Sequence, residues 1–436
     1  MAEAIPDIVT YLRSLDAVHD RCNQVFALAE VGQVDHWTFH QDKVADVVDY
    51  CVTLITRDYG DLSKVPPTSR RTHFEPPTKA QDARMGRIPA LLLLCPKDPI
   101  AKTLTLIDLY VVSVLLDAGA GPDWVYTEVG PDGRETWKGG RSEGLAVASY
   151  QMFTAGVFSS NNANKLQVDA KALKGLRVET LAKHLQVSDS NPMAGLEGRC
   201  ELLIKLGSAL GDRPDICPSG RPGEIINYLE GRLPSADTLP LSLLWSTLFE
   251  LLLPIWPSRT TLPDHPSFPL GDVWPCPSLE RSLTGDRTTG DNLVAFHKLT
   301  QWLCYSLVEV IESEGGWKVD RGRGQTALPE YRNGGLLVDL GALTIKPETL
   351  PPDAYPRGRD QPPLLAPSHP AIVEWRALTI GVLNHCHPLI CEKLGTQLSL
   401  AQVIEAATWK GGREIAKTKR QGGGPPIDII SDGTVF

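Results

Sequence analysis

Five charged residues stand inside runs that are otherwise apolar. The segments F-H-K-L-T-Q-W-L, L-P-E-Y-R-N-G-G-L-L-V-D-L-G-A-L and V-E-W-R-A-L-T-I, which begin at residues 296, 328 and 373, carry Lys298, Glu330, Arg332, Glu374 and Arg376. Burying an unpaired carboxylate or ammonium costs several kcal/mol. These groups must therefore be solvated, paired with one another, or gathered around a polar ligand. The last option, a carboxylate among cations at a polar ligand, makes residues 296 to 376 the place to look for function.

The elements that would position them are mostly helical. Residues 14 to 31 place Leu15, Val18, Cys22, Val25, Phe26 and Ala29 at helical spacing, with Gly32 just beyond. The same periodicity predicts helices over 42–59, 99–118, 141–158, 193–210, 240–253, 292–314, 369–394 and 400–418. Residues 124 to 138 alternate β-formers around Gly-Pro-Asp-Gly and predict a short hairpin. Proline-rich stretches at 66–79, 254–279 and 351–370 contain aromatic, apolar and charged residues, so they read as long packed loops and not as linkers. No repeat of 20 to 50 residues recurs. The expectation is a mainly α chain with one or two small β elements.

Composition narrows the class. Apolar residues make up 42% and charged residues 22% of 436, which describes an ordinary globular chain. A net charge of −9 argues against phosphate-neutralising binding of long nucleic acids and leaves a small anionic ligand open. The nine cysteines include no C-x-x-C pair and predict reduced, buried thiols in a cytosolic protein. M-A-E-A-I-P-D is no apolar leader, and the longest apolar stretch, 241 to 256, contains Glu250 and Pro254, so a core helix is expected there and no membrane span.

Five segments carry a resemblance. R-S-E-G-L-A-V-A-S, N-P-M-A-G-L-E-G-R, P-L-G-D-V-W, P-E-Y-R-N-G-G-L-L-V-D-L-G and the terminal S-D-G-T-V-F closely resemble the uracil catabolism protein 4 family, also called domain of unknown function 1688, over nearly the whole chain. A second likeness bears on chemistry. F-H-K-L-T-Q-W, P-E-Y-R-N-G-G-L-L-V-D-L-G-A-L and V-E-W-R-A are similar, in order and separation, to F-Y-K-R-A-Q-I, A-D-Y-R-x-P-Q-x-L-x-x-L-G-x-L and V-E-I-R-A of the queuosine-phosphate N-glycosylase (queuosine salvage) family.

That second family looks like helix-hairpin-helix DNA glycosylases. The resemblance implies a single two-lobed α-helical unit over 1–436, with lobes near 1–235 and 236–436, the ligand between them, and hydrolysis of an N-glycosidic bond without metal or other cofactor. By position, Lys298 matches the relative's lysine, Glu330, Tyr331 and Arg332 its Asp-Tyr-Arg, and Glu374 and Arg376 its third segment. The chain departs from the pattern in having Glu330 for aspartate and Asn333-Gly334-Gly335 where the relative has proline.

Breaking a ribosyl C–N bond develops positive charge on the sugar, which a carboxylate beside the anomeric carbon stabilises. Glu330 is the candidate, with Lys298 as the second catalytic group; Lys298 and Arg141 suit a 5′-phosphate or ribose hydroxyls. Each choice has a plainer counterpart. Glu374 and Arg376 could simply pair with each other, Lys298 could extend from an apolar face to solvent, and in the Arg141, Ser142 and Glu143 group, a candidate pocket element at an anion-binding helix start, Ser142 could simply cap its helix. Asp272 and Trp274 read as a turn carboxylate with a packed indole, or as a platform for a planar urea or base, and His297 as a core or pocket-wall histidine. His385, His387 and Cys391 invite a metal reading, but two histidines two residues apart point to different helix faces.

The pathway implied by the first resemblance ribosylates uracil, opens its ring and releases urea. Ribosylurea, with or without a 5′-phosphate, is then the expected small-molecule ligand, and urea plus ribose or ribose 5-phosphate the products. An amidohydrolase acting on a ureido acid, and a non-catalytic nucleotide-binding partner of the ring-opening enzyme, are the alternatives.

Overall fold

The computed structural model describes residues 4–75, 86–121, 123–130, 132–235, 237–257 and 260–430. The terminal S-D-G-T-V-F, Pro131 of the expected hairpin turn and parts of the proline-rich stretches 66–79 and 254–279 lie outside them. The fold is mainly α, as the periodicity predicts, with short strands paired two by two. No helix is long and apolar enough, among the described residues, to cross a membrane.

The chain divides into two compact units. One comprises Met1–Thr68, Ser258–Lys298 and Arg323–Ile430; the other contains Ser69–Pro257 and Leu299–Gly322. Both are discontinuous, unlike the continuous lobes 1–235 and 236–436 of the sequence reading. The cause is that the N-terminal helix Leu15–Glu30 packs against Pro370–Leu394, so the two chain termini contribute to one core.

In this first unit the close approach of those two helices depends on Gly381, where a Cβ would come within 2.5 Å of Phe26 Cβ. Trp37 stacks on Trp375 at 5.9 Å and donates its indole N–H to the Ala371 carbonyl at 2.8 Å. Three strand pairs bind the loops: Trp37–Phe39 with Leu343–Ile345 antiparallel, Val273–Pro275 with Leu293–Ala295 antiparallel, and Leu364–Leu365 with Asp428–Ile429 parallel.

The expected helix over 292–314 is shorter at its start. Residues Leu293–Ala295 form a strand, His297 adopts a left-handed conformation with φ 48°, and the helix runs from Lys298 to Ser313. A short apolar run reads alike as strand or buried helix, and the partner strand Val273–Pro275 decides it.

The predicted helix over 400–418 contains a different irregularity. An α turn, Leu400–Val403, passes into a π-helix, Ile404–Trp409, and back to α at Lys410–Lys419. Thr408 on the π segment donates to the Asn333 amide oxygen at 2.9 Å. Gly412 lies so close to the neighbouring helix Tyr331–Asp339 that a Cβ would stand 2.1 Å from the Arg332 carbonyl oxygen. Backbone cannot yield there as a side chain tip can. Gly412→Ala is therefore expected to destabilise the protein by about 1–3 kcal/mol, read as a lower urea midpoint.

The second unit is built on Pro99–Leu115, Arg141–Thr154, Leu196–Gly211, Leu241–Leu252 and most of Lys298–Ser313. Asp98 caps the first of these by accepting from the Ala101 N–H at 2.7 Å, with Pro99 at the first helical position. Its hairpin pairs Val125–Val129 with Glu135–Gly140. Inside the unit the buried Asp108 accepts from Arg221 at 2.6 and 3.0 Å, from the Gly223 N–H at 2.7 Å and from the Val168 N–H at 3.1 Å, which fastens the 160–223 loops to the central helix.

Candidate functional site

A strand pair, the helix Pro370–Leu394 and the turn at 296–298 of the first unit bring Asp272, Trp274, His297, Lys298 and Arg376 together. Arg376 lies on Pro370–Leu394, fully within the core, and its guanidinium donates to both Asp272 carboxylate oxygens at 2.9 and 2.7 Å. It also sits 4.0 Å from the centroid of the Phe296 ring. Asp272 accepts in addition from the Trp274 indole at 2.6 Å and from the Lys298 backbone N–H at 3.1 Å. Burial pushes this carboxyl up, but the charge and hydrogen bonds of Arg376 outweigh it and hold Asp272 well below the usual carboxylate range.

The same carboxylate thus fixes where the helix Lys298–Ser313 begins. Its backbone carbonyl accepts from the Phe296 N–H at 2.9 Å, so the chain at 296–298 is tied to Asp272 on both sides. The left-handed turn at His297 lies between these ties, and its ring bonds the Leu12 carbonyl through Nε2 at 2.8 Å. Positive φ in a histidine is uncommon, and such positions persist where the surroundings over-determine them.

Burial brings the His297 imidazole down to about 4 against the opposing pull of the Leu12 hydrogen bond. The sign follows: this histidine is neutral when folded and takes up a proton when unfolded below ~6.5. Its stabilising contribution is complete above that value and is lost as pH falls towards about 4, by up to about 3 kcal/mol. His297→Asn tolerates the left-handed backbone, and urea unfolding at pH 7 and pH 5 should show a shallower acid loss in that variant than in the parent.

Glu330 precedes the helix Tyr331–Asp339 as its N-cap, and not on its apolar face. Its carboxylate oxygens accept from the backbone N–H groups of Arg332 at 2.8 Å and Asn333 at 2.5 Å. Burial raises the carboxyl above its ordinary value, more than these two N–H groups and the charges of Arg332 and Lys298 lower it. Lys298 is half-buried and acts on Glu330 through its charge. The arrangement is a carboxylate fixed by backbone and desolvated, with cations beside it.

Arg332 is 5% exposed, and its guanidinium lies 5.1 Å from the Tyr331 ring centroid and 5.6 Å from that of Trp409. Trp409 closes the π segment and was not singled out by the sequence reading, where only its place before Lys410-Gly411-Gly412 marks it.

Glu374 and Arg376 do not pair with each other. Two residues apart on a helix they project about 200° apart. Glu374, wholly buried, instead accepts from the backbone N–H groups of Asp35 at 2.9 Å and His36 at 2.8 Å, and burial raises its carboxyl. Its visible work is to hold the 34–36 turn.

Arg141, Ser142 and Glu143 belong to the second unit. Arg141 opens its helix at φ 54°. Ser142 is no cap. Its hydroxyl donates to Asp117 Oδ2 at 2.7 Å, stands 2.9 Å from His73 Nδ1 and accepts from Arg70 at 2.8 Å. Arg70, fully buried, also donates to Asp117 at 2.6 Å, to the Ser113 hydroxyl at 2.8 Å and to the Ser113 carbonyl at 3.1 Å. Glu143 acts on Arg70 through its charge. Serine, histidine and aspartate meet here around Arg70, with Asp117 Oδ2 accepting from both the serine and the arginine. Arg70, His73 and Asp117 escaped the sequence reading; the only local signal is the three-residue spacing of Arg70 and His73 on one short helix.

His387 bonds the Leu398 carbonyl at 2.8 Å, Cys391 points to the same oxygen, and His385 lies beside Phe26. Among the described residues no three His, Cys, Asp or Glu side chains converge as metal ligands would. Eight of the nine cysteines are buried and all are free; burial raises the thiols of Cys22, Cys51 and Cys304 and pushes that of Cys386 up to about 12, the reverse of what a thiolate nucleophile needs.

Comparison with known proteins bears on the whole chain. Residues 11–436 match the family model described as "Protein of unknown function (DUF1688)". "Uracil catabolism protein 4" of Lachancea kluyveri is 40% identical, over 98% of this chain and 99% of its own length. "Protein urg3" of Schizosaccharomyces pombe is 39% identical, over 99% of both. With a family match and two relatives that all extend across both units, the chain belongs to the DUF1688 family.

Proposed function

We propose that this protein acts in uracil catabolism as an N-glycosidase, hydrolysing the ribosyl C–N bond of ribosylurea or its 5′-phosphate to urea and ribose or ribose 5-phosphate. The pathway rests on the relative named "Uracil catabolism protein 4", and the reaction on Glu330. Two backbone N–H groups orient this carboxylate, and burial keeps it poorly solvated beside Lys298 and Arg332.

A carboxylate held in this way needs no rearrangement to meet a developing oxocarbenium ion. It retains lone pairs beyond the two engaged by the backbone, so it can also orient the attacking water. Lys298 follows a backbone N–H fixed by Asp272, which limits where its ammonium can reach and suits it to the sugar hydroxyls or the leaving ureido group.

The test is product analysis. Purified full-length protein given ribosylurea or ribosylurea 5′-phosphate should release urea and the matching sugar, with no ammonia. Release of ammonia would favour an amidohydrolase, and inactivity of the folded protein on both compounds would sink the glycosidase reading.

A further inference from the structure

The Arg332 guanidinium meets the rings of Tyr331 and Trp409, and its nitrogens are not among the side-chain atoms sealed from solvent without a partner. The residue is 5% exposed, yet among the described residues no oxygen accepts a hydrogen bond from its side chain and no carboxylate forms an ion pair with it. Glu330, its sequence neighbour but one, feels its charge but directs both carboxylate oxygens to the backbone N–H groups of Arg332 and Asn333. Tyr331 and Trp409 engage the cation through their rings and leave the N–H donors unused.

Other buried arginines of this chain show the contrast. Arg376 is met by both oxygens of Asp272, Arg70 by Asp117, Ser113 and Ser142, and Arg199 by the carbonyls of Leu116, Ala118 and Ala194. A guanidinium stays protonated under all ordinary conditions, so it cannot escape burial by losing its charge. Its donors are not among the side-chain atoms sealed from solvent without a partner, so they stay open to a ligand, and a planar fork of this kind pairs best with two oxygens of one oxyanion.

We infer that Arg332 is an oxyanion subsite beside Glu330, holding the phosphate monoester of a ribose 5-phosphate derivative. This rests on the glycosidase reading for the identity of the sugar, though not for the anion. It assigns the phosphorylated compound as substrate over free ribosylurea. The phosphate oxygens accept from the guanidinium, and Tyr331 and Trp409 keep competing water away from the pair.

Binding of ribose 5-phosphate, ribose and inorganic phosphate to the full-length protein, by calorimetry, tests this. The parent should bind ribose 5-phosphate at least roughly tenfold more tightly than ribose, the scale of a charge-assisted bidentate contact. Arg332→Gln should abolish that preference, and Arg332→Lys should keep part of it. A second readout separates binding from scaffolding: removing a nearly buried cation that bonds no described oxygen should leave the melting temperature unchanged or higher. Overturning results are an unaltered preference in Arg332→Gln, or a destabilised fold in both variants, which would mark the arginine as structural.

The two proposals can fail separately. Equal rates of urea release from ribosylurea and its phosphate would remove the phosphate subsite and leave the glycosidase. Arg332-dependent binding of ribose 5-phosphate with no urea release would do the opposite.

Discussion

Glu330→Gln should lower turnover of the ribosylated substrate by a hundredfold or more, the order lost when one preorganised electrostatic partner of a transition state is removed, while ligand affinity changes by no more than about threefold. The amide is isosteric and neutral. Its single carbonyl oxygen still accepts one of the two N–H groups that Glu330 now receives from Arg332 and Asn333. Loss of the other bond weakens the helix cap by about 1 kcal/mol.

An opposing effect limits the damage to the fold. Because the Glu330 carboxyl is raised by burial, its ionised form is the costly one: its contribution to stability is complete below the ordinary glutamate value of ~4.3 and is lost as pH rises through the folded value. The amide removes that cost at neutral pH. Activity has the reverse dependence, since the ionised group is the catalyst. Turnover of the parent should therefore fall on the acid side at a pH above the ordinary carboxylate value, and steady-state rates across pH should show that limb disappear in the variant.

Asp272→Asn carries the largest expected effect on stability. It leaves the Arg376 guanidinium buried without its counter-charge, a change that costs about 3–5 kcal/mol when one partner of a buried pair is removed. The melting temperature should drop by on the order of 10 °C. The loss should be smaller in the double variant Asp272→Asn, Arg376→Met, where no buried charge is stranded. The pH sense differs from that of Glu330: with its folded value depressed by Arg376, Asp272 contributes stability above the unfolded aspartate value of ~3.9, and this contribution is lost as pH falls through the folded value.

These two residues also show what was legible in the sequence. Charges inside apolar runs pointed to Lys298, Glu330, Arg332, Glu374 and Arg376, of which Arg332, Glu374 and Arg376 are buried. Their partners were not legible, because partners are set by tertiary contact. Arg376 is paired with a residue 104 positions away, and Glu374 with backbone N–H groups more than 330 positions away. Helical geometry alone already separates these two side chains.

Glu330 is a further case. Its sequence context suggests a charged face on a helix, yet Pro329 before it and the two N–H groups beyond it make it a cap, which only the backbone conformation reveals. Long periodic helices were the most readable elements: 14–31 is Leu15–Glu30 with Ser14 as its cap, and 369–394 is Pro370–Leu394 capped by His369. The strand Leu293–Ala295 was hidden within a helical pattern because its partner lies twenty residues upstream. The Arg70, His73 and Asp117 cluster left only the three-residue spacing of Arg70 and His73 as a local trace, since Asp117 comes from a distant part of the chain and each looks like an ordinary polar position.

A crystal structure of the full-length protein soaked with ribose 5-phosphate and urea, the two products, decides whether Glu330 meets the sugar. The anomeric carbon should lie beside the Glu330 carboxylate, with the phosphate oxygens on the Arg332 guanidinium. Ligand bound elsewhere, as in the cavity of about 540 Å³ lined by Gln167, Lys171 and Arg221, with the surroundings of Glu330 and Arg332 empty at saturating concentration, would contradict this.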